Sequence, residues 1–257
     1  MNSNLCISYD STFDGFLSAI FEIYSQHLDV GDFLPDREGS RPMDIFLQPF
    51  RVETREESAN RVRRSIVNRA SGEVLGLLEA ALLSEEPGTE MKIFAYLRKL
   101  FSGEDPDFGK NPASMEMLPL YKLAQSVRRE AGNMLGMVRF SKGPDDFYIA
   151  QIEPKYDILM LMDAHFRRRF ATAKWIIYDA KRKYGLFHEK NGISQVVTLP
   201  NPEVLTQKLS PDSWTELWKV FYDSIAIKER ENAKLLRQCL PERYWKYLPE
   251  RNRALLW

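Results

Sequence analysis

Residues 165–170 read HFRRRF, three consecutive arginines between two aromatics with a histidine in front. Arginines could hold phosphate oxygens, and His165 could carry a proton beside them. On a helical wheel Ile158, Leu159, Leu161, Met162, Phe166 and Phe170 cover one broad arc. Arg167 points away from that arc and Arg168 lies at its side. Arg169 and His165 fall inside it. A buried Arg169 needs a carboxylate, several carbonyls or a bound phosphate, because an unpaired buried guanidinium is costly. Glu130, Glu153 and Asp179 are the candidate carboxylates. The alternative is a helix that ends near residue 168, with Arg169 reaching solvent along its aliphatic stem. His165 is either a satisfied structural histidine or an acid/base.

Other residues could join such a site. In LGMVRF (135–140), a strand reading sends Arg139 to the open face while Val138 and Phe140 pack inward. AKRK places Lys181 and Arg182 at the end of the next strand, WIIYD. Arginine, lysine and aromatics on a sheet edge suit phosphate contacts and base stacking. The bland reading is an ordinary core with solvated charges. Charge distribution leaves both open. The formal net charge is zero, yet residues 165–183 carry seven basic side chains and a single acid, Asp179.

Much other chemistry has no motif. There is no GxxxxGK[ST] phosphate loop, no GxGxxG after a strand, no HExxH and no GxSxG. With three histidines and two scattered cysteines, no metal site and no cofactor is expected. Cys6 and Cys239 lie far apart without CxxC spacing. The opening MNSNLCISYD has no basic flank or cleavable apolar core. No signal peptide, disulfide or membrane span is expected, and the expected compartment is a reducing cytoplasm.

Elements must position these side chains. Hydrophobic residues make up 44% and charged residues 28% of 257, which places the chain among globular proteins. LCISYD reads as a strand and residues 11–26 as a helix capped by Ser11 or Thr12. Residues 29–42 read as loop and 44–50 as a short strand ended by Pro49. Residues 54–84 read as two helices divided at Ser71–Gly72, opened by a capping box at Thr54 and Glu57. Helices follow over 89–101 and 115–132. LGMVRF and DFYIAQIE (146–153) then read as a hairpin, 154–170 as a helix, and WIIYD with YGLFH as a second hairpin. SQVVTL reads as one more strand, and 201–205, 210–226 and much of 228–239 as helical. The expected class is α+β: a mostly antiparallel sheet with a ββαββ core, covered by helices. One compact unit is expected, with a mainly helical lobe over 1–112 and an α+β lobe over 113–257.

Several of these stretches form a resemblance. YDSTFDGFLSAIFEIY resembles the N-terminal YDGTFEGFL-type motif of a bacterial family assigned to DNA metabolism. VRREAGNMLGMVRF, YIAQIEPKYDILMLMDAHFRRRF, WIIYDAKR and RYWKYLPE resemble that family's central domain of unknown function. The resemblance runs over nearly the whole chain. It implies a role in DNA repair or modification beside a radical S-adenosylmethionine protein, and related domains occur fused to uracil-DNA-glycosylase-like domains. It does not imply a reaction. The matching motifs carry over Arg128, Glu130, Arg139, Phe140, Glu153, Pro154, His165, Phe166, Arg169, Phe170, Asp179 and Arg182. Gly132–Asn133 stands where a basic or histidine-containing pair is expected, a departure from the pattern.

Three functions follow as expectations. The leading one is a DNA-binding accessory protein that contacts phosphates through Arg128, Arg139, Phe140, Arg167, Arg168, Arg169, Lys181 and Arg182. The second is an enzyme with His165, Glu153 or Asp179 as acid/base, and it requires those side chains to share one cleft. The third is a protein-binding subunit whose arginines are spent on internal ion pairs.

Overall fold

The computed structural model describes residues 5–37, 48–105, 107–110, 114–198 and 232–250. Its contacts divide the chain into two units, Met1–Arg128 and Arg129–Trp257. The expected helices at 201–205 and 210–226 lie outside the described residues.

In the first unit, strand β1 (Leu5–Tyr9) leads into helix α1 (Phe13–Ser25) and strand β2 (Val30–Pro35). Strand β3 (Gln48–Arg51) completes a sheet of order β2-β1-β3, parallel throughout. Thr12 caps α1, its Oγ1 accepting from Gly15 N at 2.9 Å. A Cβ at Gly15 would sit 2.0 Å from Asp10 Oδ1, so any larger residue there would displace the Asp10 carboxylate. Helices α2 (Glu56–Arg69), α3 (Gly72–Leu82) and α4 (Thr89–Ser102) follow, with α2 and α3 divided at Ser71–Gly72 as the sequence suggests. Thr54 is not the cap of α2. Arg55 holds that position without a side-chain bond, and Thr54 Oγ1 instead donates to Asp10 at 2.6 Å.

Helix α5 (Met117–Met137) runs five residues past its expected end. The reason is periodicity: Leu120, Ala124, Val127, Ala131, Met134 and Val138 are all buried at helical spacing. LGMVRF is therefore a helix end and a loop, not a strand. Only Ser141–Lys142 (β4) pairs antiparallel with β5 (Phe147–Ile152).

The second unit is built on β5, helix α6 (Leu159–Arg169) and β6 (Lys174–Asp179), with β5 and β6 parallel. Strands β7 (Tyr184–His188) and β8 (Gln195–Thr198) add antiparallel pairs, giving the order β4-β5-β6-β7-β8. The class is mixed α and β as expected, and β4, β5, α6, β6 and β7 follow the expected ββαββ order, but this sheet is mixed and the other is parallel rather than mostly antiparallel. An unexpected strand, β2 (Val30–Pro35), lies within the stretch 29–42 that reads as loop. Its Gly, Asp and Pro suppress the usual strand pattern, and pairing with β1 overrides it. A short helix α7 (Ala233–Cys239) and a 3₁₀ helix (Glu242–Tyr247) close the described chain. Among the described residues, no helix is long and apolar enough to cross a membrane.

Residues 175–179 of β6 are all buried, as befits a central strand covered on both faces. Trp175 meets Phe166 of α6 at 6.2 Å between ring centroids. Because β5 and β6 are parallel, α6 must run back against them. Its start lies by the C-terminal ends of the two strands and its last turn by the start of β6. Eleven residues span about 16 Å at about 1.5 Å per residue, so the two ends of α6 are separate places.

Candidate nucleic-acid interface

At the strand end, residues 153–157 leave β5 and residues 180–183 leave β6. Glu130 of α5 holds the first of these loops. Its Oε1 accepts from Lys155 N at 2.9 Å and its Oε2 from Tyr156 N at 2.8 Å. Oε1 also accepts from Arg243 Nη2 at 2.9 Å and from the Tyr244 hydroxyl. Glu130 is 7% exposed. Burial alone would raise its pKa, but these hydrogen bonds outweigh it and hold the carboxyl below its ordinary value.

Glu153 repeats the arrangement one step outward. It accepts from the Tyr247 hydroxyl at 2.7 Å and from Lys246 Nζ, which hold its pKa down. In a 3₁₀ helix residues three apart eclipse one another. Arg243 with Lys246, and Tyr244 with Tyr247, therefore line up in two matched rows. Each basic–tyrosine pair meets one carboxylate.

Asp179 is fully buried at the end of β6. It accepts from Lys181 N at 2.9 Å, Arg182 N at 3.1 Å and Arg182 Nη1 at 2.8 Å. Burial raises its pKa even so. Arg182 Nη2 and Lys181 Nζ also donate to Lys155 O, at 3.0 and 2.9 Å. Tyr184 donates to Asp157, and burial followed by that carboxylate's charge pushes the Tyr184 pKa up. The carboxylates Glu130 and Asp179 thus lie beneath, while Lys155, Lys181, Arg243 and Lys246 are exposed around the loop.

A sequence signal marks this edge. Four of the 11 tyrosines follow a lysine or arginine directly: Tyr156, Tyr184, Tyr244 and Tyr247. All four lie here. Reading HFRRRF as the focus missed Lys155, Tyr156, Tyr184, Arg243, Tyr244, Lys246 and Tyr247, although the repeated dipeptide was visible.

HFRRRF itself lies at the other end of α6. The helix stops at Arg169, which is exposed, with its guanidinium 5.7 Å from the Phe170 ring centre. Arg169 does not face inward toward Glu130, Glu153 or Asp179, whose partners are Arg243, Lys246 and Arg182. Arg168 Nε donates to Ala164 O at 3.1 Å, and Arg167 lies 3.8 Å from Asp163. His165 is half-buried, its ring 5.2 Å from that of Phe166.

The remaining expected residues separate further. Arg139 does not project from a strand. It pairs with Glu250 at 2.8 Å and donates to Gly136 O, because the chain there is a helix end. Phe140 packs edge-on against Phe166, Phe170 and Trp175. Arg128 is exposed and donates to Gly76 O at 3.0 Å in the first unit. Pro154 is buried, its carbonyl 3.4 Å from Arg182 Nη1. Glu153, Asp179, Lys181 and Arg182 are brought together, whereas His165 lies almost two turns along α6 from that end. Among the described residues no group of three His, Cys, Asp or Glu is placed to hold a metal.

Residues 87–250 match a family model described as a domain of unknown function, DUF4130. The matched span contains every residue of the strand-end cluster. No curated protein matches the chain.

Proposed function

We propose, for a chain that belongs to the DUF4130 domain family, a role in DNA metabolism in which the strand end of the second unit binds the phosphate backbone. The observation that carries this reading is the gathering of four basic–tyrosine dipeptides at one edge. Lys155, Lys181, Arg243 and Lys246 are exposed there, and the carboxylates Glu130 and Asp179 are buried below. The carboxylates fix the loop and the 3₁₀ helix, and the cations present positive charge outward. The C-terminal edge of parallel strands is also where open α/β sheets take their ligands. The resemblance of RYWKYLPE and EPKYD to motifs of a DNA-metabolism family supports the choice of DNA. The same resemblance supports a radical S-adenosylmethionine protein as the partner to which DNA is presented.

Phosphate contacts release counterions, so binding weakens with salt. Fluorescence anisotropy with labelled DNA should show a loss on the order of 50-fold for a single strand, or about 150-fold for a duplex, between about 50 and about 200 mM salt for four contacts. The double variant Lys155→Gln/Lys181→Gln should flatten that dependence. No binding at low salt would defeat the reading. Co-purification of the radical S-adenosylmethionine protein after nuclease treatment tests the partner separately.

A further inference from the structure

We infer that the strand-end surface takes single-stranded nucleic acid, with Tyr156 as a platform on which an unpaired base stacks. The inference rests on the phosphate-binding reading above and names the substrate class of that same site.

The four tyrosines of the edge are not equivalent. Tyr184, Tyr244 and Tyr247 donate their hydroxyls to Asp157, Glu130 and Glu153. Those bonds fix the three rings as parts of the scaffold. Tyr156 makes no such bond. Its hydroxyl accepts from Lys155 Nζ at 3.1 Å, and the same ammonium lies 4.6 Å from its ring centre. The ring is half-buried, and its backbone is pinned by Glu130. Tyr156 is therefore an aromatic side chain on a fixed loop, with the ammonium of the exposed Lys155 set against it.

That contact is weak. An exposed cation–π contact is worth roughly two- to five-fold in an equilibrium, while a base stacked on an aromatic is worth roughly five- to 100-fold. A strand that brings both a phosphate and a base offers Lys155 a better partner and Tyr156 a larger one. Lys155 swings to the phosphate as the base takes its place on the ring. Arg243 and Lys246 stand three residues apart on a 3₁₀ helix, about 6 Å along its axis at about 2.0 Å per residue. That row suits successive phosphates of one extended strand. Duplex DNA cannot use the platform, because its bases already stack on each other and offer only their edges. DNA and RNA strands share the required chemistry.

The test compares a mixed-sequence oligonucleotide of about 16 nucleotides, as DNA and as RNA, with a hairpin duplex of the same composition. The measurement is anisotropy at fixed low salt. At least one single-stranded form should bind 10-fold or more tighter than the hairpin, on the order of one base stack. Tyr156→Leu should lose about 10-fold on that strand, and Tyr156→Phe should recover the loss by restoring the ring. Circular dichroism of both variants checks that the fold is kept. Equal binding of strand and hairpin, with Y156L unchanged, overturns the inference and leaves the phosphate-binding reading standing. Absence of all binding overturns both.

Discussion

The two ends of the β5–α6–β6 unit carry the same kinds of cations and use them in opposite ways. At the helix end Arg167, Arg168 and Arg169 are adjacent in sequence, so they leave the helix about 100° apart and cannot point at one place. Their contacts are a carbonyl of their own helix, one carboxylate at 3.8 Å and the neighbouring ring. A last-turn position explains their presence, since cations there complement the helix dipole. At the strand end Lys155, Lys181, Arg182, Arg243 and Lys246 come from three separate stretches, yet they meet around one loop. Each stretch ends next to a buried carboxylate. Density along the sequence is thus a poor guide to where charge is fixed in space. A carboxylate that gathers donors from distant segments is a better one.

The largest test of this contrast is Glu130→Ala. The substitution strands two part-buried backbone N–H groups, Lys155 N and Tyr156 N, together with the Tyr244 hydroxyl and Arg243. Leaving such donors without an acceptor costs about 1–3 kcal/mol, and the half-exposed Arg243 adds little. Urea unfolding should show a loss of that size. A loss under about 1 kcal/mol would mean that the strand end is no more fixed than the helix end.

A smaller effect separates the two buried carboxylates by sign. Glu130 has a folded pKa below its ordinary 4.5, so it adds stability that is present above that value and lost as pH falls toward the folded pKa. Asp179 has a folded pKa above its ordinary 3.8, so its ionisation costs stability as pH rises from that value through the folded pKa. Glu130→Gln should therefore flatten the acid side of the stability profile, and Asp179→Asn should steepen it. Both changes are read by urea unfolding between about pH 3.5 and about pH 7, by the sign of the slope. Profiles that shift in the same direction would contradict the hydrogen-bond account of Glu130.

Local pattern made several elements readable in advance. The α1 cap, expected at Ser11 or Thr12 and found at Thr12, the α2–α3 division and the β6–β7 hairpin each follow from a capping residue, a glycine or a turn between apolar runs. The β2 strand was hidden because Gly31, Asp32 and Pro35 are poor strand formers, and only pairing with β1 settles their conformation. The end of α5 was hidden for the opposite reason. Val138 and Phe140 alternate like a strand, while Leu120 through Met134 carry a longer helical stripe that prevails. The site was half readable. Asp179, Lys181 and Arg182 lie close in sequence, so their meeting could be foreseen, and Glu153 joins them because Ile152 pairs with Asp179 across β5 and β6. Glu130 reaches Tyr244 across 114 residues, a separation that periodicity cannot bridge.

The smallest prediction concerns the helix end itself. Replacing Arg167, Arg168 and Arg169 together by glutamine removes one loose ion pair, one bond to a helix carbonyl and one cation–ring contact. All three are exposed or half-exposed contacts. Each contributes a few tenths of a kcal/mol, and loss of the favourable dipole interaction adds a similar amount. Glutamine keeps helix propensity nearly constant, so backbone preference does not confuse the result. The sum should stay near or below about 1 kcal/mol in urea unfolding, and it should shrink further in high salt because the charges are screened. DNA affinity at low salt should fall less for this triple variant than for Lys155→Gln/Lys181→Gln, although it removes more positive charge. If the triple variant instead abolishes binding while the double variant does not, the phosphate contacts belong to the helix end. The strand-end carboxylates would then be serving only the fold.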